Sequence, residues 1–342
     1  MTDRSTTSTI LRISAAGAFV GAVYSALAHS EVRTGLVIGA VNAAAIPWLE
    51  MVVLRLWAAP ALGRLPFLVT VAARAALFFV AVVLINAVFV PLLNGFRLAG
   101  AIAPQDIVFG LAASFIGSAT ISVADLLGVD VLFAFVAGRY HRPQVEERGL
   151  LFLDLCASTA TAERLGGPRF LDFLNAVFAD LSAAIVENGG EIHKYVGDEI
   201  IATWRLAPGR NAPDIVRAWA AARRRLAMGA ERYQRDFGLA PDFRAALHAG
   251  EVVVGELGSR RKEIALIGDP MNTTARMIEA CRALNRTTLA SVALMERLEA
   301  PPDGIEIEAI APLPLRGKSA PLDLVALAIE EARTPARRLV QA

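Results

Sequence analysis

Charged residues are scarce in the first part of this 342-residue chain, and cysteines are scarce throughout it. Residues 1–140 hold 14 of the 67 charged side chains, which leaves 53 for residues 141–342. A chain that is 55% hydrophobic is too apolar for an ordinary soluble protein or a disordered one. The two cysteines, Cys156 and Cys281, exclude a disulfide-rich secreted fold. The net charge of +1 gives no electrostatic basis for a nucleic-acid partner.

Uncharged stretches in the first part are long enough to cross a membrane. Eighteen uncharged residues follow Arg12, 22 follow Arg74 and 18 follow Asp106, and the stretch 34–54 is interrupted only by Glu50. About 20 apolar residues cross the hydrocarbon core of a bilayer as a helix. The sequence therefore predicts an all-α transmembrane region over residues 1–126. Its four predicted spans lie near 12–30, 34–54, 66–92 and 106–126.

Arginines near the span ends predict the orientation of this region. The N-terminal tail, the second loop and residues 139–148 hold more arginines than the first and third loops. Loops rich in Lys and Arg stay in the cytoplasm. We therefore expect a multi-pass protein with both termini in the cytoplasm. A cleaved signal peptide is disfavoured because three further spans follow the first.

Two charged residues fall inside the predicted spans. Glu50 is near the end of the second span and Arg74 near the start of the third, both on the cytoplasmic side. An ion pair joining neighbouring helices is the simpler interpretation, and a ligand or ion sensor is the alternative. The region therefore fits an anchor and dimeriser, or a receptor for an unidentified membrane or extracytoplasmic ligand.

A linker is predicted between the two parts, over residues 127–148. An apolar run continues past the fourth span, and Pro143 helps to end it. We expect this linker to be helical. Such a helix outside the lipid needs an apolar partner, which is either its own soluble domain or the same helix of a second chain.

Strands and helices alternate in the second part, from about 149 to 330, before a C-terminal tail at 331–342. The order β-α-β-β-α-β is that of a ferredoxin-like α+β fold. Strands are predicted at 150–155, 191–196, 199–204, 242–249, 251–257 and 262–267, and helices at 163–187, at 213–236 and from 270.

Two aspartates at strand ends suggest a metal site. Asp154 ends the first strand of this domain, and Asp198 lies in the turn between the second and third. In this topology the two carboxylates face one site, where they repel each other unless they share cations. Two divalent metals about 3.5–4 Å apart suit phosphoryl chemistry. The amides of residues 155–159, before a helix, suit a triphosphate.

Five ordered motifs resemble those of the class III nucleotidyl cyclases, the adenylyl and guanylyl cyclases. The resemblance covers about 149–328, and the whole chain resembles bacterial cyclases with a multi-span N-terminal region, which implies the inner cell membrane. The motifs are Phe-Leu-Asp-Leu (152–155), Gly-Gly-Glu-Ile-His-Lys-Tyr-Val-Gly-Asp-Glu (189–199), His-Ala-Gly-Glu-Val-Val-Val-Gly (248–255), Ile-Gly-Asp-Pro-Met-Asn-Thr-Thr-Ala-Arg (267–276) and Leu-Arg-Gly-Lys (315–318).

The resemblance implies a role for each matching residue. Asp154, Asp198 and the Leu155 carbonyl would bind two divalent cations, Mg²⁺ or Mn²⁺. Asn272 and Arg276 match the pair that stabilises the transition state, four residues apart on one helix face. Residues assigned to the substrate are Leu155 and Thr159 at the triphosphate, Lys318 at its terminal phosphates, Lys194 at the purine, and Ala265 and Leu266 beside it.

The base-reading positions favour ATP with one departure from the family pattern. Guanylyl cyclases usually carry glutamate where this chain has Lys194. Lys194 alternates with Ile192 and Val196, so we expect it on an apolar strand face, where a lysine without a partner is costly. The second position, usually Asp, Thr or Ser, is Ala265, whose side chain forms no hydrogen bond. Base recognition then falls to Lys194 and to backbone groups such as those of Leu266.

The predicted function is that of a membrane-bound adenylyl cyclase. The resemblance implies conversion of ATP to 3′,5′-cyclic AMP and pyrophosphate at sites shared across a homodimer. A guanylyl or relaxed-specificity cyclase is an alternative, because of Ala265. Another is a receptor whose cyclase-like domain is catalytically silent. A diguanylate cyclase is disfavoured by the Asn272/Arg276 motif.

Overall fold

A computed structural model describes most of the chain in two compact units, Met1–Leu132 and Phe133–Ala342. The described residues are 17–27, 32–49, 66–93, 104–127, 138–206, 213–260, 262–298, 302–314 and 320–330. Glu50, Lys318, the tail 331–342 and most of the apolar run of the predicted linker lie outside them.

The first unit contains four described helices, α1 (Gly17–Leu27), α2 (Val32–Leu49), α3 (Phe67–Leu93) and α4 (Pro104–Leu127). In the described part of the chain, two stretches are long and apolar enough to cross a membrane. They are Phe67–Phe89 in α3 and Gln105–Val123 in α4, and they coincide with the third and fourth predicted spans. The described helices at the first two predicted spans carry shorter apolar stretches. Four spans therefore stay a prediction.

Small and polar residues join these helices. A Cβ on Gly17 would lie 2.1 Å from the Cβ of Ala43, so only glycine permits this approach of α1 to α2. The hydroxyl of Ser118 donates to the carbonyl of Val71 at 2.8 Å. Arg74 donates to the hydroxyl of Ser122 at 3.2 Å, which ties α3 to α4. The predicted partner of Arg74, Glu50, lies outside the described residues.

The second unit is a mixed eight-stranded sheet with helices on both faces. In chain order its elements are β1 (Gln144–Leu155), α5 (Ser158–Leu165), α6 (Gly167–Glu187), β2 (Glu191–Val196), β3 (Glu199–Arg205), α7 (Pro213–Met228), α8 (Ala230–Phe237), β4 (Phe243–Leu257), β5 (Glu263–Ile267), α9 (Asp269–Ala283), β6 (Thr288–Ser291), α10 (Val292–Met295), β7 (Ile305–Leu313) and β8 (Leu322–Ile329). The strand order is β2-β3-β1-β4-β6-β8-β7, with β5 paired to β4. The β-α-β-β-α-β order is confirmed, with two helices in each helical position.

The alternation along β1 divides the core and fixes the direction of Asp154. Leu151 and Leu153 belong to the core under α6 and α7. Leu150 and Phe152 belong to the core on the opposite side, under α9. Successive side chains in a strand point to opposite faces. Asp154 therefore faces α9, on the side of Leu150 and Phe152.

Two predicted boundaries around the sheet are wrong. Residues 144–148, predicted as the end of a helical linker, are strand and pair with β4 from Val254 to Gly250. These residues contain no apolar run that would have predicted a strand. Their pairing with β4 and their ion pairs hold them in the sheet instead. The two strands predicted at 242–249 and 251–257 are one strand, β4. Gly250 is not a turn residue: a Cβ there would lie 2.6 Å from Pro270.

Two predicted helices are each divided in two. The helix at 163–187 is interrupted at Gly166, whose φ of +77° is left-handed, and α6 starts afresh with a proline in its first turn. The helix at 213–236 is interrupted at Gly229, between α7 and α8.

A buried arginine organises the start of this unit. Arg148 is 2% exposed. It forms ion pairs with Glu146 at 2.7 Å and Glu191 at 3.1 Å, and donates to the Tyr140 hydroxyl at 3.2 Å. Because Tyr140 lies within the predicted linker, just before β1, this network ties the entry of the chain to β1 and β2.

Candidate active site

The segments that carry Asp154 and Asp198 lie side by side. Asp154 is next to last in β1, and Asp198 is in the turn before β3, which pairs with β1. The amide of Leu155 donates to the carbonyl of Asp198 at 3.2 Å. The structure thus brings together the two segments that the sequence predicts at one site, while their roles as metal ligands stay predictions.

Negative charge is crowded at this place. Burial, together with the nearby charges of Asp154 and Asp198, raises the pKa of the Glu199 carboxyl to about 7. The Oε1 atom of Glu199 is buried and has no hydrogen-bond partner among the described residues. Such crowding is costly unless a cation neutralises it.

Two arginines supply positive charge to the buried Asp154, which is 8% exposed. Arg282, in the last turn of α9, donates from Nη2 to Oδ2 of Asp154 at 2.8 Å. The Nη1 atom of Arg244, the residue opposite Asp154 on β4, lies 3.9 Å from the same oxygen. Neither arginine was identified from the sequence, because no motif or helical spacing connects it to Asp154.

The donor set fits hard divalent cations. Asp154, Asp198 and the main-chain carbonyl of Leu155 offer oxygen ligands, which Mg²⁺ and Mn²⁺ prefer. No cluster of three or more His, Cys, Asp and Glu side chains is arranged as a metal site among the described residues. The available cation ligands are therefore two carboxylates and a main-chain oxygen. The negative charge crowded around Glu199 favours a cation beside these ligands.

The turn after β1 presents fewer amides to a triphosphate than predicted. The amide of Leu155 is taken by Asp198, and that of Cys156 donates to the carbonyl of Asp242 at 2.8 Å. Ala157 adopts a left-handed conformation with φ 53° and leads into α5, on which Thr159 is exposed. Of the predicted phosphate-binding residues 155–159, only 157–159 therefore remain candidates.

Lys194 has a partner within its own chain. Its ammonium lies 3.3 Å from Oε1 of Glu263, and both side chains are a little over 40% exposed. Lys194 therefore has a partner other than the predicted purine, and its contact with the purine stays a prediction. A bulge between Ile192 and Lys194 interrupts the register of β2 with β3, which the strict alternation did not anticipate.

Glu263 connects Lys194 to the predicted second base-reading position. Glu263 and Ala265 are two residues apart on β5 and therefore face the same side of the strand. Glu263 was not identified from the sequence, although its spacing of two residues from Ala265 was visible there. Leu266 faces the other way and packs against the core under α9. Its backbone lies opposite Val254 in the β4–β5 ladder.

Asn272 and Arg276 lie together on α9, away from its buried face. Asn272 is exposed and Arg276 is half-buried. The helix starts at Asp269, with Pro270 in its first turn; Asp269 does not cap it, since the N-cap is Gly268. Among the described residues, no hydrogen bond or ion pair joins Asn272 or Arg276 to Asp154 or Asp198. Arg276 lies about 9 Å along the helix axis from Arg282, which is the residue that reaches Asp154.

The second unit is similar in sequence to known proteins. Residues 141–325 match the sequence profile of the adenylate and guanylate cyclase catalytic domain. A Rhizobium meliloti protein named adenylate cyclase 2 is 36% identical over 221 residues, 65% of this chain and 61% of that protein. An uncharacterised Mycobacterium tuberculosis protein is 30% identical over 163 residues, 45% of this chain and 29% of that protein. This chain thus matches less than two thirds of the length of either relative.

The solved structures show the same fold. The structure of a bacterial light-regulated adenylyl cyclase superposes with a TM-score of 0.55 at 17% sequence identity, covering 67% of this chain and 67% of that one. A likeness at this identity concerns the fold of the catalytic unit.

Proposed function

Because the chain belongs to the adenylate and guanylate cyclase family, whose catalytic-domain profile matches just over half of it, we propose that it converts ATP to 3′,5′-cyclic AMP and pyrophosphate. The observation that carries the proposal is the position of Asp154 beside Asp198 at the end of β1, with Leu155 bonded to the Asp198 carbonyl. The similarity to an adenylate cyclase over 221 residues supports the choice of ATP.

The reaction joins the ribose 3′-oxygen to the α-phosphorus and breaks the bond from that phosphorus to the bridging oxygen. Pyrophosphate is the leaving group, and the hydroxyl proton passes to solvent. Asp154, Asp198 and the Leu155 carbonyl would hold two divalent cations, Mg²⁺ or Mn²⁺. When bound, these cations would lower the pKa of the 3′-hydroxyl and neutralise the triphosphate.

The chain's own side chains bind and orient the nucleotide around this centre. Arg276 meets the negative charge that grows on the α-phosphate, and a guanidinium fixed on a helix needs little rearrangement to do so. Asn272, on the same face of α9, orients the ribose. Thr159 and its neighbours at the start of α5 contact the triphosphate, and Lys318 its terminal phosphates.

Lys194 and Glu263 recognise the base. The ammonium of Lys194 donates to a ring nitrogen of adenine, and the Glu263 carboxylate, 3.3 Å away, accepts from the exocyclic amino group. Glu263 thereby supplies the polar side chain that Ala265 lacks. A guanylyl or relaxed-specificity cyclase is the second candidate, because Ala265 removes one usual source of discrimination.

We propose that two chains share each site. Among the described residues of one chain, no hydrogen bond or ion pair joins Asn272 or Arg276 to the aspartates, and a second chain would complete the site. A symmetric homodimer then contains two equivalent sites. Each combines Asp154 and Asp198 of one protomer with Lys194, Asn272 and Arg276 of the other.

The first unit anchors this dimer in the inner membrane as a multi-pass region. Two helices of sufficient length and apolarity, and the arginines at the cytoplasmic ends of the predicted spans, support this placement. The catalytic unit is then cytoplasmic, where ATP is available.

Product formation by the full-length protein in detergent tests the proposal. Incubation with ATP and Mn²⁺ or Mg²⁺ should give cyclic AMP and pyrophosphate in equal amounts. Chelation of the metal with EDTA should stop both. Neither product from folded, dimeric protein with either metal would refute the activity and favour a catalytically silent receptor.

A further inference from the structure

Arg282 places its guanidinium on the aspartate that we assign to the metal. Its Nη2 atom lies 2.8 Å from Oδ2 of Asp154, and the two side chains are 61% and 11% exposed. Asp198 attracts the same guanidinium electrostatically. An exposed arginine thus occupies an oxygen that a bound cation would need.

This contact is not required to hold α9 on the sheet. Met277, Ile278 and Cys281 bury the helix against Leu150 and Phe152. An arginine as exposed as Arg282 adds little to such packing. Its place in the last turn of the helix is favourable for a cation in any case. The side chain can therefore leave Asp154 without disturbing the fold.

We propose that Arg282 is the resident counter-ion of the metal-free site and competes with the divalent cation for Asp154. The inference rests on the proposed metal assignment of Asp154. Without metal, Arg282 at 2.8 Å neutralises the buried carboxylate, with Arg244 farther away at 3.9 Å. Metal binding displaces it, and the lost ion pair raises the cation concentration that the site requires. Arg282 is thus a positioning residue that sets the metal affinity.

Thermal unfolding of the full-length protein in detergent, titrated with Mn²⁺ in the absence of nucleotide, measures this competition. The variant Arg282→Gln removes the charge and keeps most of the side-chain bulk. Arg286→Gln is the matched control, because Arg286 is ion-paired with Glu308 instead of with the site. Asp154→Asn removes the proposed ligand.

We expect the Mn²⁺ concentration at half of the thermal shift to fall about three- to fivefold in Arg282→Gln, the value of a partly exposed ion pair. It should not change in Arg286→Gln, and Asp154→Asn should show no Mn²⁺-dependent shift. Metal-free Arg282→Gln should also unfold at a lower temperature than the wild type.

An unchanged or higher midpoint in Arg282→Gln would overturn the proposal, since a purely structural ion pair lowers stability without changing the metal midpoint. The absence of any Mn²⁺-dependent shift in the wild type would overturn it too. Cyclic AMP formation, measured separately, decides the proposed activity, so the two failures are distinguishable.

Discussion

The ammonium of Lys194 lies 3.3 Å from a carboxylate oxygen of Glu263, which faces the same side of β5 as Ala265. This pair joins β2 to β5 and offers a hydrogen-bond donor beside an acceptor. Adenine is distinguished by a ring nitrogen, which requires a hydrogen-bond donor, and by an exocyclic amino group, which requires an acceptor. In the proposed function, Glu263 would take over the discrimination of the base from the position of Ala265, two residues later.

Replacement of Glu263 should reduce the preference for ATP. We expect Glu263→Ala to raise the KM for ATP about tenfold, which corresponds to one hydrogen bond to a charged group. The ratio of ATP to GTP turnover should fall as well. Steady-state kinetics with both nucleotides check this. The control is Lys262→Ala, whose lysine pairs with Glu256 instead. An unchanged ratio in Glu263→Ala would remove Glu263 from base recognition.

Mixing two inactive variants should restore activity if sites are shared. An Asp154→Ala chain combined with an Arg276→Ala chain forms one intact site in each mixed dimer. Random pairing then gives about a quarter of wild-type turnover. Asp154→Ala mixed with Asp198→Ala is the control, because no site then receives both aspartates. Recovery in the control, or none in the test mixture, would argue against the shared site.

Acid should destabilise the catalytic unit through His193. Burial, aided by the charge of Lys194, lowers the pKa of His193 from 6.5 to about 4. Between these values the unfolded chain binds a proton that the folded chain does not, so stability falls as the pH drops below 6.5. At pH 5 the loss is about 2 kcal/mol. Unfolding measured from pH 7 to pH 5 should show a shallower decline in His193→Gln. Parallel declines in both proteins would count against a neutral, partly buried His193 in the folded chain.

Loss of the Arg148 network should be far more costly than loss of a surface ion pair. Arg148→Met removes the ion partner of Glu191 and leaves Glu146 paired with Arg205 alone, and we expect a loss of about 3 kcal/mol in the free energy of unfolding. The control is Arg217→Met, whose pair with Asp214 is 55% exposed on both sides, and which should cost less than about 0.5 kcal/mol. Denaturant unfolding measures both losses. Equal losses would mean that the buried Arg148 network stabilises the fold no more than a surface ion pair does.

The sequence predicted those features that are encoded locally. Apolar runs located β1 to β3, and the segments that carry Asp154 and Asp198 lie side by side as expected. The roles of Asp154, Asp198, Asn272 and Arg276 stay predictions. What the sequence missed depends on tertiary contacts. Gly250 resembles a turn residue until Pro270 is seen against it. Residues 144–148 become strand only through pairing with β4.

The polar partners were missed for the same reason. Arg282 reaches Asp154 across 128 residues of sequence, and Glu263 reaches Lys194 across 69. No periodicity in either segment encodes such a contact. The bulge at Lys194 also altered which way that side chain points. Residue roles assigned from motifs therefore need the tertiary partners before their charge environment is understood.

A competition between ATP and GTP at equal concentration, with purified full-length protein and Mn²⁺, tests the proposed adenylyl cyclase activity most directly. Mass spectrometry of the products measures cyclic AMP and cyclic GMP in one reaction, beside an Asp198→Ala control. We expect predominantly cyclic AMP from the wild type and neither product from Asp198→Ala. Comparable cyclic GMP would contradict the assignment of Lys194 and Glu263, and undiminished product from Asp198→Ala would contradict the active site itself.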